Sequence, residues 1–332
     1  MAPGLRAGRT LRSVGLNLPG KGWMMGAMKS RKVDSASESR ATAPRTHADE
    51  PVDRLSALLD RFRIRASLFH AGPLCGRTPF EAQPHRAFLH VLRRGRLQIE
   101  HPARTGLRRQ LVVDEPTLVL YPRSVHHTFV NPPREGSDFS CATLQFEGGD
   151  RNPLAAALPA LVLVPLDAVP GLRPTLELLF AETDHVRCGS RLLVDRLFEV
   201  VLIQLLRWVI DHPQAVGVSS GLVMGLSDPR LSRALVALHE SPQDDWPLAR
   251  MAAVAGMSRS AFAQAFRAVT GTTPAAYLTD WRLTVATGLL RRGQAQKLVA
   301  AELGFATPSS FSRAFRQRFG VSPRAWLADA PA

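Results

Sequence analysis

The sequence predicts an α+β chain: a small β-barrel with flanking helices, then an all-α domain of two helix-turn-helix units joined by a long helix. Three observations carry this expectation. Seven short runs rich in β-branched and aromatic residues follow one another between Ile64 and Phe146, separated by Gly, Pro, Asn and Asp. Beyond Asp228 every segment has the texture of a short helix. That last stretch also repeats itself, at a shift of 48 residues before a shared glycine and 49 after it.

Length and composition agree with two domains. The chain has 332 residues, 45% of them apolar, which is enough to build packed cores and excludes wholesale disorder. Its three cysteines, Cys75, Cys141 and Cys188, are far apart and odd in number. They exclude a disulfide scaffold and a CxxC metal site, and they fit a reducing, cytoplasmic compartment. Lys and Arg number 42 against 28 Asp and Glu, a net charge of +14 that invites an anionic partner. The excess sits at the ends: +5 in residues 1–50, +3 in 51–224 and +6 in 225–332. No membrane partner is expected. The most apolar run, Leu192 to Ile210, contains Asp195, Arg196, Glu199 and Arg207, and each costs about 2.5–3.5 kcal/mol near the centre of a bilayer helix.

Taken in order, residues 1–50 lack hydrophobic periodicity and read as a disordered tail. Gly15, Pro19, Gly20, Lys21 and Gly22 interrupt any apolar stretch a secretory signal would need, and Met24, Met25 and Met28 offer alternative starts. A first domain, 51–212, opens on a helix marked by Leu55, Leu58, Leu59 and Phe62. The seven runs read as strands at Ile64–Phe69, Ala87–Leu92, Leu97–Glu100, Arg109–Val113, Thr117–Tyr121, His127–Val130 and Ser140–Phe146. Pro153 to His212 reads as helical. Leu193, Leu197, Val200, Val201, Leu205 and Val209 recur there at spacings of three and four, forming a stripe for the barrel or for a second copy of the chain. The Gly- and Ser-rich residues 213–227 read as a linker, and 228–329 as the second domain.

The repeat explains itself as two helix-turn-helix units. Ala252 and Ala300 are small enough to let another helix approach. Gly256 and Gly304 supply a left-handed turn. Ser258 and Thr307 are N-caps, with Pro308 in a first turn that tolerates proline. Phe262 and Phe266, like Phe311 and Phe315, lie four apart and pin the second helix to a core. The opposite face carries Arg259, Ser260, Ala263, Gln264 and Arg267 in one unit and Ser309, Ser312, Arg313 and Arg316 in the other. Such a face suits a major groove, where phosphates attract Arg and base edges bond with Gln, Ser and Arg. Pro274 to Arg291 reads as one continuous helix of roughly 27 Å, which sets the two recognition helices near one DNA turn apart.

The stretch from Asp228 to Leu327 resembles the AraC/XylS family of bacterial transcription regulators. The resemblance rests on Ala255-Gly256-Met257-Ser258, Phe266-Arg267, Gly271-Thr272-Thr273-Pro274, Gly304-Phe305, Phe311-Ser312-Arg313-Ala314-Phe315-Arg316 and Phe319-Gly320-Val321-Ser322-Pro323. One departure stands out. Where the family is apolar this chain has Gln296, beside Lys297, and fraying or surface display of that helix is expected ahead of a phosphate contact by Lys297. The earlier stretches Phe88–Leu92 and Leu118–His127 resemble a cupin-like sensor domain. Together they imply a sequence-specific DNA-binding transcription factor, not an enzyme. Its partners are promoter or operator double-stranded DNA, a small-molecule effector, a second copy of itself and RNA polymerase.

His85, His90, His126 and His127 form the one candidate chemical cluster in the first domain. A metal cupin needs an HxH pair, a Glu and a later His. His127 suits the later His, but the first motif has no HxH pair, so no metal or cofactor is expected. His90 and His127 are instead candidate effector contacts, against the plainer reading of retained fold positions. Strand alternation sends His126 and His127 to opposite faces. The alternative function is a metal-dependent cupin enzyme with a helical accessory domain. Arg282 and Trp246 each read as a structural group or a phosphate neighbour, and Cys141 as a small core hydrophobe.

Overall fold

Among the described residues nine strands make two sheets. In the computed structural model, which describes residues 52–132, 134 and 136–328, helix α1 (Ser56–Arg61) leads into β1 (Ile64–Leu74), β2 (Gly76–Phe80), β3 (Ala87–Arg94), β4 (Leu97–Glu100), β5 (Gln110–Val113), β6 (Thr117–Tyr121), β7 (His127–Asn131), β8 (Ser137–Phe146) and, after α2 (Pro153–Ala157), β9 (Val162–Pro165). The strand orders are β1-β8-β3-β6-β9 and β2-β7-β4-β5, with every pairing antiparallel. The architecture is therefore a two-sheet, cupin-like sandwich; the strand pairing does not close it into a barrel. The tail expected at residues 1–50 lies outside the described residues.

Two strands depart from the expectation. β2 contains Pro79, and its proline is tolerated because the strand pairs on one side only, with β7. β9 lies inside a stretch read as helical; Val162 and Val164 are buried where it closes the edge of β6. β3 and β6 read as unbroken apolar runs because both their faces are covered. Phe88, Leu92, Val119 and Tyr121 point between the sheets, whereas Leu89, Val91, Leu118 and Leu120 join the larger core under the helices.

That larger core continues through α3 (Leu172–Asp184) and α4 (Ser190–Asp211) into α5 (Leu222–Ser227) and α6 (Leu231–Glu240). On α4 the stripe is rotated from the expected one. Val194, Leu197, Phe198, Val201, Leu205 and Val209 are buried, and Leu193 and Val200 are exposed with Leu192. Residues 213–227, read as a linker, are packed: a 3-10 turn at Pro213–Val216 precedes α5, and Val218, Val223 and Leu226 are buried.

The remaining helices are α7 (Leu248–Val254), α8 (Arg259–Thr270), α9 (Pro274–Arg291), α10 (Gln296–Glu302), α11 (Pro308–Phe319) and α12 (Pro323–Ala328). They form the two units and the 18-residue helix between them. Side chains of both domains meet where the first is seated on this one. Arg61 donates to the carbonyls of His239 (3.0 Å) and Glu240 (2.9 Å), Phe62 meets Trp281 edge-on at 5.5 Å, and Arg292 pairs with Glu147 at 3.0 Å. Among the described residues no helix is long and apolar enough to cross a membrane.

Candidate nucleic-acid interface

Each recognition helix is set by its caps and its two phenylalanines. In the first unit Gly256 turns at φ +65°, Ser258 Oγ accepts the Ala261 amide hydrogen at 3.3 Å, and Gly271 ends α8 at φ +79°. In the second, Thr307 and Ser310 exchange bonds in a capping box, Pro308 takes the first turn, and Gly320 ends α11 at φ +78°. The extra residue of the second turn is Ala306, between Phe305 and the N-cap. Phe262, Phe266, Phe311 and Phe315 are fully buried, and their ring centroids lie 5.4 and 5.6 Å apart within each pair.

Anchoring one face this way presents the other. Arg259, Ser260, Gln264, Arg267, Ser309, Arg313 and Arg316 are exposed, and Ala263 and Ser312 are half-buried. Arg259, Arg267, Arg313 and Arg316 pair with no acidic side chain among the described residues, so their charge is available to phosphate. Arg318 differs: it is held by Asp280 of α9 at 3.3 Å. Each recognition helix flanks a groove. Ala263, Gln264 and Arg267 share one of about 460 Å3 with Leu248, and Ser309, Ser312, Arg313 and Arg316 share one of about 700 Å3 with Gln296.

Three features of this region were not legible beforehand. Gln296 neither frays nor stands free: it opens α10, and its amide donates to Ser312 Oγ at 2.6 Å. Arg282 ties the units through backbone carbonyls, not through an ion pair. Its guanidinium reaches Pro242 (2.6 Å), Asp244 (2.8 Å) and Gly304 (3.3 Å). His239 Nε2 shares a hydrogen bond with the Tyr277 hydroxyl at 2.6 Å, and its ring lies tilted against Trp281 at 4.1 Å; burial lowers its pKa to about 3. Trp246 is buried, and its indole nitrogen donates to Ser241 at 2.8 Å. A polar residue facing an arginine-rich helix was the sole sequence signal for the Gln296 bond; the sequence marked Arg282 as a structural group, but the partners of Arg282 and His239 lie 22 to 40 residues away and were not marked.

In the first domain the structure brings His90 and His127 together between the sheets. Their Nε2 atoms are 3.1 Å apart, and both rings are fully buried among Phe80, Phe88, Phe129 and Tyr121. The bonds assign the tautomers. His127 Nδ1 donates to the Val125 carbonyl at 2.9 Å, so its Nε2 accepts and His90 Nε2 donates. His90 Nδ1 is left as a buried acceptor with no partner. Burial holds both imidazoles neutral, with His127 lowered to about 3 and His90 also well below the usual range. His126 faces outward and meets Glu81 at 3.0 Å, and His85 stands apart in a left-handed turn at φ +60°. Among the described residues no three His, Cys, Asp or Glu side chains converge as a metal set. Cys141 is a buried thiol, its pKa raised by desolvation.

Comparison with known proteins finds two family models in the chain. A cupin family model matches residues 53–211 and a helix-turn-helix domain model matches 251–329. A putative AraC-like transcription regulator of Streptomyces lividans is 35% identical over 159 residues, 47% of this chain and 51% of that one. The RCS-specific HTH-type transcriptional activator RclR of Escherichia coli K12 is 30% identical over 228 residues, 67% of this chain and 77% of that one. The chain belongs to the AraC-type helix-turn-helix transcriptional regulators. It spans about half the length of the first relatives it matches. Among solved structures, the DNA-binding domain of AdpA, a global transcriptional factor, in complex with a target DNA is 33% identical, covering 31% of this chain and 92% of that one at a TM-score of 0.29.

Proposed function

We propose that this chain is a sequence-specific DNA-binding transcription regulator acting in the cytoplasm. Residues 228–329 bind operator DNA, and residues 51–212 sense an effector. One observation carries the reading: two capped recognition helices, on either side of an 18-residue helix, display unpaired arginines beside amide and hydroxyl groups. Arg259, Ser260, Ala263, Gln264 and Arg267 from one unit and Ser309, Ser312, Arg313 and Arg316 from the other form the contact surface. Arginines without acidic partners supply the phosphate attraction, and the remaining groups suit base edges.

The effector reading rests on His90 and His127. A buried aromatic box with one unpartnered acceptor, His90 Nδ1, suits a small apolar molecule carrying a single hydrogen-bond donor. Arg61, the last residue of α1, and Phe62 just after it touch α6 and α9, so a shift in the first domain reaches the DNA-binding helices through them. The exposed Leu192, Leu193 and Val200 on α4 support a homodimer. RNA polymerase is the further partner a regulator of this kind engages.

Genome-wide footprinting of the bound sites tests the reading. Discrete, reproducible sites upstream of genes are expected. Uniform coverage that does not exceed that of random DNA would overturn it.

A further inference from the structure

The two helix-turn-helix units share one backbone plan but differ in chemistry at matched positions. The repeat places Leu248 opposite Gln296, Ala263 opposite Ser312 and Gln264 opposite Arg313, with Arg267 and Arg316 alike. In the first unit Leu248 is 39% exposed at the groove it shares with Ala263 and Gln264, and Met251 lines the same groove. An apolar side chain is thus held in water beside a primary amide.

In the second unit the same place is polar and ordered. The Gln296 amide donates to Ser312 Oγ at 2.6 Å, and Ser312 donates its own proton to the Pro308 carbonyl at 2.9 Å. Ser312 is therefore an acceptor there, and Gln296 is fixed in the groove that Arg313 also lines.

Base edges divide along the same line. Thymine presents a C5 methyl group to the major groove, and its adenine partner offers N6 and N7 to an amide. Guanine offers two acceptors, O6 and N7, to a guanidinium.

We propose that the two units read unlike half-sites: Leu248 and Ala263 receive a thymine methyl and Gln264 the adjoining adenine edge, whereas Arg313, beside the Gln296–Ser312 pair, reads guanine. The site bound by one chain is then directional, because exchanging its halves exchanges an amide for a guanidinium. This inference rests on the DNA-binding reading above and adds the base preference of each unit.

The test is selection of bound duplexes from a randomised DNA library by the full chain, its Gln264→Arg variant and its Arg313→Gln variant. Circular dichroism confirms that the variants are folded, and the unsubstituted chain alone already discriminates. It is expected to enrich A·T pairs in one half and G·C in the other, about one helical turn apart. Gln264→Arg turns the first half towards G·C by about tenfold or more and leaves the second half alone. Arg313→Gln changes only the second half. Two halves of the same base preference, or a Gln264→Arg variant that keeps the A·T preference, would overturn the inference and leave the DNA-binding reading standing. No enrichment over random DNA overturns both.

Discussion

Arg282 of the long helix holds the carbonyl of Gly304 at 3.3 Å, so the turn of the second unit is tied to the helix that connects it to the first. Gly304 itself sits at φ +72°, and a β-carbon there would run into the Gln243 carbonyl oxygen. Its counterpart Gly256, at φ +65°, has open space around the same point. Gly256→Ala is therefore expected to cost only the left-handed backbone strain, roughly 1–2 kcal/mol. Gly304→Ala adds a backbone collision and is expected to cost at least about twice that. Urea denaturation of the two variants checks this; equal losses would contradict it.

The three carbonyls held by Arg282 belong to the α6–α7 turn and to the turn of the second unit. A lysine ammonium is a point donor and cannot span them as the planar guanidinium fork does. Arg282→Lys is expected to lower stability by about 1–3 kcal/mol and to weaken binding to two-segment DNA more than to a single segment. Calorimetry and titration against both DNA lengths would show it.

His90, His127 and His239 are buried and neutral, with folded pKa values below the ordinary 6.5. At His127 and His239 the unfolded chain binds more protons than the folded one between that value and about 3. Their contribution to stability is full above about pH 6.5 and is lost as pH falls towards about 3. Denaturation between pH 8 and 5 should show stability falling on the acid side, with a shallower slope for His127→Phe. An unchanged slope would remove His127 as a cause.

Arg61 holds the last carbonyls of α6 from the first domain. Arg61→Ala is expected to cost about 1–3 kcal/mol and to loosen the coupling of the two domains, so that their melting separates. One coincident transition by near-ultraviolet dichroism and by fluorescence would argue against that.

Arg313→Ala is expected to weaken operator binding by about 1–3 kcal/mol. Binding by the unsubstituted chain should weaken steeply as salt rises, through counterion release. A flat salt dependence would remove the phosphate contacts assigned to the exposed arginines.

Much of the site was legible because its signals are local. Ser258, Phe262, Phe266 and Gly271 fix the start, face and end of α8 within one short segment, and the repeat confirms each at a second place. In the first domain the alternation that separates His126 from His127 was equally local. The pairing of His90 with His127 was not, because it crosses from β3 to β7, which hydrogen-bond into different sheets. β9 escaped because four residues of Val, Leu and Pro carry no period long enough to separate strand from helix.

By itself the sequence determined the two-domain order, the AraC-type repeat, the extent of the long helix and the exposed face of each recognition helix. Periodicity, caps and glycine turns act over distances a short segment contains. Only the tertiary structure decided that Arg282 grips three carbonyls, that Gln296 anchors Ser312, that α5 is packed and that His90 is left with an unpartnered nitrogen. Those outcomes depend on which distant segments meet. Non-local packing sets that, through buried polar groups that must find partners once water is excluded.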